Sequence, residues 1–308
     1  MVTVRVPATC ANMGPGFDVL GMALPWDNRF SVSDSDKTEI FHHGPYASRI
    51  PAEGDHLALA GARAVANALG RPLPTWRWDV EVAIPPGRGL GSSSSAVVGG
   101  LVIANERFGR PFTRDALLAL ATKLEGHPDN AAPALLGGVT AAFSQNQELW
   151  CIPLAEKICA CAVVVVPAMT QSTSESRGAL SPMVTREASV YNIAAVTALT
   201  HALLTGAPSS WQYGLRDQLH QPERLARIPG ALEVVQAARE AGAFGAVLSG
   251  SGPTLLALTP PELAASVAET MQSAWAAHDI RSETRYFDTL ASGAQVSGGP
   301  VPLTPHVS

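Results

Sequence analysis

Lysine is nearly absent from this 308-residue chain: of 21 basic residues only Lys37, Lys123 and Lys157 are lysines. None follows a glycine, which excludes the Gly-Lys-Ser/Thr type of phosphate loop. There is no basic block either, and a formal net charge of −5 argues against nucleic acid as a partner. Cysteine is scarce. Cys10, Cys151, Cys159 and Cys161 form no Cys-x-x-Cys pair, so they read as buried free thiols. Long apolar runs are missing, since the longest, Cys159 to Met169, is too short to span a bilayer. The chain opens on the short alternating segment Val2–Pro7 and not on a signal peptide. These absences point to a cytoplasmic protein in a reducing compartment.

What is plentiful is core. Hydrophobic residues make up 46% and charged residues 15%, a well-packed composition, and the length predicts two domains. Composition shifts near Trp150, which divides the chain into residues 1–152, residues 153–290 and a Gly/Pro/Ser-rich tail over residues 291–308. In the first part the patterns predict strands at Thr3–Val6, Asn28–Ser35 and Trp76–Ile84. Helices are predicted at Asp55–Leu69, Ser93–Phe108 and Thr113–Leu124, and a strand runs from Gly137 to Phe143. In the second part a strand at Ile158–Val166 precedes helices near Arg186–Leu204, Trp211–Leu219 and Ala231–Glu240. A glycine loop between two strands (Gly245–Leu258), a helix near Glu262–Ala277 and a strand near Glu283–Phe287 complete it.

The most informative segment is Ile84-Pro-Pro-Gly-Arg-Gly-Leu-Gly-Ser-Ser-Ser-Ser-Ala96. Alternating glycines permit positive φ and close backbone approach. Four serines stand at the start of a helix, where N–H groups are unpaired and the dipole is positive. That combination makes an anion cradle suited to a polyphosphate and its metal. A Gly/Ser surface turn is the plainer alternative, but four serines exceed what capping requires. The Rossmann fingerprint fails because Ser92 stands at its third glycine, and the nucleophile elbow Gly-x-Ser-x-Gly fails as well.

The run resembles the second motif of the GHMP kinases, Pro-x-x-x-Gly-Leu-Gly-Ser-Ser-Ala, with Ser94 and Ser95 in place of the usual alanines. Four further segments are similar to that family in its homoserine-kinase form. They are Pro7-Ala-Thr-Cys-Ala-Asn-Met-Gly-Pro-Gly-Phe-Asp18, Glu125-Gly-His-Pro-Asp-Asn130, Ser172-Thr-Ser-Glu-Ser-Arg177 and Leu219-His-Gln-Pro-Glu-Arg224. The loop Leu248-Ser-Gly-Ser-Gly-Pro-Thr254 matches the third motif. All occur in the family's order.

The resemblance implies an α+β chain of two domains. The N-terminal one is expected to be ribosomal-protein-S5-like and the C-terminal one ferredoxin-like, with ATP and substrate between them. It implies ATP-dependent phosphorylation of the L-homoserine hydroxyl in threonine biosynthesis, and a homodimer. By the same resemblance Pro85, Pro86, Gly87, Arg88, Gly89, Leu90, Gly91, Ser92, Ser93, Ser94, Ser95 and Ala96 hold the nucleotide, while Ser93 and Glu125 hold Mg²⁺. Mg²⁺ prefers oxygen ligands, with one or two from protein. Asp18 takes the substrate ammonium, Arg177 and Arg224 its carboxylate, Thr173 lies beside them, and Asn12 and Asn130 hold the hydroxyl. The arginines read alternatively as a surface ion pair, and Ser93 as a helix cap. His127 and Asp129 suggest a general base or a Ser/His/Asp hydrolase triad, or else an ordered His-Pro turn. Asp129 is carried as candidate base, with positioning and charge neutralisation supplying most of the rate. Two other readings stay open: a kinase for another small alcohol, of mevalonate or sugar type, and a nucleotide sensor without catalysis.

Overall fold

The computed structural model describes residues 1–50, 56–146, 148–171, 173–178 and 180–296. Alternation in β1 (Val2–Ala11) sends Val4 and Val6 to one face, where they are fully buried. β2 (Leu20–Asp34) is one strand where the sequence shows two apolar patches, and it changes partners along its length. Its far end, Arg29 to Asp34, pairs with β4 (Trp76–Glu81), which carries β3 (Glu39–His43) in parallel. Its near end, Leu20 to Met22, pairs instead with β5 (Val139–Gln145), which carries β6 (Glu148–Ala155). Helices α1 (Leu57–Ala68), α2 (Ser92–Arg107), α3 (Arg114–Glu125) and α4 (Ala131–Leu136) cover one face. Phe30, Trp76 and Trp78 from the sheet bury there against Ala62, Val98, Leu101 and Leu118.

The second sheet starts at β7 (Cys161–Pro167), every residue of which is buried. Along the chain follow α5 (Thr173–Gly178), α6 (Arg186–Thr205), α7 (Pro208–Gly214), α8 (Gln221–Leu225) and α9 (Ala231–Glu240). After them come β8 (Gly245–Leu248), β9 (Leu255–Thr259), α10 (Ala264–Ala276) and β10 (Ser282–Phe287). The order β10-β7-β9-β8 is antiparallel throughout, the ferredoxin-like arrangement. Period two explains the unbroken Val163–Val166 run. Val163 and Val165 pack under α9 and α10 with Met271 and Trp275. Val164 and Val166 pack the other way, with Leu256 and Leu258, against Cys10, Met22 and Leu24 of the first sheet. The two sheets therefore share an apolar core.

Several elements were not expected. β3, β6, α4 and α8 are short or weakly alternating, and the polar loop at Ser172–Arg177 contains the short helix α5. The start of the expected tail is stitched into the first sheet. β11 (Gln295–Val296) pairs with β1, Ala294 N–H donates to Leu135 O, and Gly138 N–H to Ala291 O. Backbone bonds hold this stretch, so its Gly/Pro composition did not announce it. Among the described residues α6 alone is long and apolar enough to cross a membrane by length and composition; its Ala195, Leu199 and Ala202 are buried within the fold.

One helix start has a pH consequence. His56 caps α1, its Nδ1 accepting from Ala58 N–H at 3.2 Å, which requires a neutral ring. Burial, and secondarily His42, pushes its pKa from the ordinary 6.5 down to about 4. A depressed histidine stabilises the fold fully above about pH 6.5 and loses that contribution as pH falls through about 4. Thermal unfolding of the wild type should therefore drop more steeply between these two pH values than that of His56→Asn, which keeps a capping acceptor that does not titrate. Parallel curves would remove His56 from the account of acid sensitivity.

Candidate active site

A cavity of about 1040 Å³ opens between the two sheets and collects residues from both halves of the chain. At one end lies the glycine loop between β4 and α2. Gly89 and Gly91 have φ of 77° and 63°, and both are tightly enclosed. A Cβ on Gly89 would stand 2.2 Å from Ser249 O, and one on Gly91 1.9 Å from Thr9 Oγ1. Only glycine fits either position. Ser92 opens α2, and the first helical bond runs from Ser95 N–H to Gly91 O at 2.8 Å. The N–H groups of Ser92, Ser93 and Ser94 stand ahead of that bond, at the positive end of the helix.

Pro86 through Ser93, with Ala96, line the cavity as expected; Pro85, Ser94 and Ser95 do not. Pro85 is buried under the loop, and Ser95 is turned into the fold, its hydroxyl donating to Val6 O at 3.4 Å. Ser94 donates a short hydrogen bond to Glu125 Oε2, the oxygen that Ser93 Oγ approaches at 3.4 Å. Arg88 lines the cavity but is committed elsewhere. Its Nη1 donates to Pro167 O of β7 at 2.7 Å, tying the loop to the second sheet. Glu125 ends α3, where the helix dipole opposes a carboxylate. Burial raises its pKa, while Ser94, His127 and Ser93 lower it. Ser93 and Glu125 thus present two hard oxygen donors to the cavity beside the helix start, the donor set that suits Mg²⁺.

The opposite end is charged. Asn12 and Asp18 both hold positive φ, 71° and 57°, in the loop joining β1 to β2. Asn12 Oδ1 accepts from Asp18 N–H at 3.0 Å, and Asn12 Nδ2 donates to Gly250 O at 2.9 Å. Asp18 and Arg177 form a two-pronged ion pair, 2.6 and 2.9 Å, which raises the Arg177 pKa. Arg224 is 2% exposed and makes no ion pair among the described residues. Its guanidinium donates to Gly250 O and Ser176 O, and burial, then the charge of Arg177, depresses its pKa. The side chain of Thr173 lies outside the described residues.

Between the ends, His127 Nδ1 lies 2.5 Å from Asp129 Oδ1, and this bond raises the histidine pKa. Asn130 Nδ2 donates to the same oxygen at 3.4 Å, and Thr9 Oγ1 donates to Asn130 Oδ1 at 2.7 Å. Sequence reasoning missed Thr9, the residues of β3 that line the cavity (Ile40 and His42), and Phe17. The Phe17 ring stacks on His220 and lies 5.8 and 5.3 Å from the Arg177 and Arg224 guanidinium carbons. Phe17 sits in a quoted motif, and an aromatic next to a charged loop was the available signal.

This geometry agrees with comparison to known proteins. The family model described as GHMP kinases N terminal domain matches residues 56–138, and GHMP kinases C terminal matches residues 199–277. The chain belongs to the GHMP kinase family. It is 40% identical to a homoserine kinase of Desulfitobacterium hafniense over 96% of this chain and 100% of that protein. It is 45% identical to one of Moorella thermoacetica over 83% and 87%. The crystal structure of homoserine kinase from Cytophaga hutchinsonii superposes with a TM-score of 0.87 at 28% identity, covering 96% of both chains. Within the family, this chain falls among the homoserine kinases.

The glycine loop gives a direct prediction. Gly91→Val places a branched side chain on Thr9 and into a disfavoured φ. By calorimetry its ATP affinity should fall by at least about a hundredfold, or about 2.7 kcal/mol. Unchanged affinity in a folded variant would contradict the cradle.

Proposed function

We propose that the chain transfers the γ-phosphoryl group of ATP to the side-chain hydroxyl of L-homoserine, giving O-phospho-L-homoserine on the route to threonine. One observation carries this reading: a phosphate cradle and a set of charges complementary to a zwitterion share one cavity. Asp18 takes the substrate ammonium in place of Arg177, and Arg177, freed from Asp18, takes the carboxylate together with Arg224. The fork of a guanidinium suits a carboxylate's two oxygens. Asn12, beside Asp18, and Asn130, between the two ends, both line the cavity and hold the hydroxyl. Asp129, held by His127, accepts its proton. Backbone N–H groups at the start of α2 face the transferring phosphates, so positioning and charge neutralisation supply most of the rate.

Ser93 and Glu125 fit a Mg²⁺ ion that keeps most of its shell for water and phosphate. When bound, the ion neutralises phosphate charge during transfer. A sugar-type substrate has no charge for the three charged side chains at the acceptor end to meet, and mevalonate, with a carboxylate and no ammonium, leaves Asp18 without a partner. A sensor without catalysis has no need of the Ser93–Glu125 pair. The four cysteines are free, but only Cys10 and Cys161 are buried as expected, while Cys151 is half-buried and Cys159 exposed; burial pushes Cys10 up to about 12 and Cys151 up to about 11. A homodimer is part of this reading. Exposed Val190, Ile193 and Leu204 of α6, with Trp150 and Ile152 of β6, offer the apolar surface, and sedimentation would measure it.

Product formation is read by phosphorus NMR with ATP, Mg²⁺ and L-homoserine. Glu125→Ala should keep the fold and lose several orders of magnitude in turnover; activity within about tenfold of wild type would take Glu125 out of the metal site. Arg177→Lys should raise the KM for homoserine by about tenfold or more, with ATP affinity nearly unchanged, because a lysine cannot replace a forked bond worth about 1.5–3 kcal/mol. An unaltered homoserine KM would reassign Arg177.

A further inference from the structure

Arg224 owes its place to a carboxylate that never reaches the cavity. Asp217 lies in the turn before α8, and its side chain has no exposure. A buried carboxylate is costly unless its oxygens are satisfied, and these are. Oδ1 accepts from Asn192 Nδ2 at 2.7 Å and Leu219 N–H at 3.1 Å; Oδ2 accepts from His220 N–H at 3.0 Å and Gln221 N–H at 2.7 Å. Three successive backbone donors are thereby gathered on one side chain at the entry to α8. That helix has five residues and cannot hold its own orientation.

Asn192 extends the clamp. Rising from α6, it accepts from Gln218 N–H at 2.8 Å, and its Nδ2 also donates to Pro15 O at 3.3 Å. Asn192 and Asp217 therefore tie three segments together: α6, the Asn12–Asp18 loop and the turn leading to Arg224. One helical turn further, Arg224 N–H bonds His220 O at 3.1 Å, so a shift of the Asp217 turn carries the guanidinium with it. Gln221 Oε1 accepts from Leu248 N–H at 2.7 Å and fixes the other side of the same turn to β8. Neither Asp217 nor Asn192 lines the substrate cavity.

We propose that Asp217, clamped by Asn192, is the positioning residue that sets Arg224 for the substrate carboxylate, so that amino-acid affinity depends on it and nucleotide affinity does not. This rests on Arg224 as a carboxylate ligand, and the test separates the two claims.

Homoserine and ATP KM values, kcat and unfolding temperature are measured for Asp217→Asn, Arg224→Lys and the double variant. Asp217→Asn should raise the homoserine KM by about tenfold, or about 1.4 kcal/mol, and leave the ATP KM within about twofold. In the double variant the effects should not add, because Asp217 acts through Arg224. Full additivity, or an equal rise in both KM values, overturns the positioning role and makes Asp217 a general structural residue. A homoserine KM unmoved by Arg224→Lys overturns the substrate reading itself, and a rise with Arg224→Lys but not with Asp217→Asn overturns the clamp alone. Should Asp217→Asn not fold, Asn192→Ser, whose short hydroxyl cannot make the three hydrogen bonds of the asparagine, is read by the same criteria.

Discussion

The site depends on the docking of one loop, Ser249 to Thr254, onto the first half of the chain. Gly250 N–H donates to Ala11 O at 3.1 Å, while its own carbonyl accepts from both Asn12 Nδ2 and Arg224 Nη1. Ser249 Oγ donates to Gly89 O at 2.6 Å, and Thr254 N–H to Arg88 O at 3.3 Å. This one loop is thus the common reference for the β1 loop, the phosphate loop and the buried Arg224, and Gly250 by itself joins the first and the last. Hydrogen bonds alone would not hold it, since each contributes about 0.5–1.5 kcal/mol net. The shared core beneath them, Cys10, Met22 and Leu24 against Val164, Leu256 and Leu258, supplies the bulk of the cohesion.

Charge follows from that geometry. Asp18 and Arg177 are partly exposed, at 32% and 44% of their side chains, so their mutual pairing is worth about 0–1 kcal/mol and opens readily. Arg224 is buried and lacks a carboxylate partner among the described residues, which is a costly state for a guanidinium. On the proposed reading, a zwitterion inserted here replaces one weak pair by two and gives the buried cation its partner. A ligand with only a carboxylate would strand Asp18, and one with only an ammonium would strand both arginines. Selectivity is therefore written in the resting ion pair as much as in any contact.

The residues gathered in the cavity were legible because most lie in contiguous loops with unusual composition. Gly87–Ser93 needed its glycines for curvature and close packing, and those demands show in the letters. Strand alternation gave β1 and β4, and an unbroken apolar run gave β7. What stayed hidden depends on pairing across the chain. β3 exists because β4 offers it an edge, and β11 because β1 does. Ser95 and Arg88 read as phosphate ligands from their place in the motif, yet a helical turn sends the one into the core, and a carbonyl of β7 claims the other. Asp217 carries a turn signal, an aspartate preceding a Gln-Pro helix start, which accounts for its backbone donors Leu219, His220 and Gln221 but not for Asn192, 25 residues away on α6.

The most direct measurement is the ratio of kcat/KM for L-homoserine to that for 3-aminopropanol, which shares the amine and the hydroxyl and lacks the carboxylate. With the buried Arg224 left unpaired and Arg177 displaced from Asp18, the site should favour homoserine by at least about three orders of magnitude, or about 4 kcal/mol. Equal efficiency on the two alcohols would contradict the zwitterion site while leaving the phosphate cradle in place.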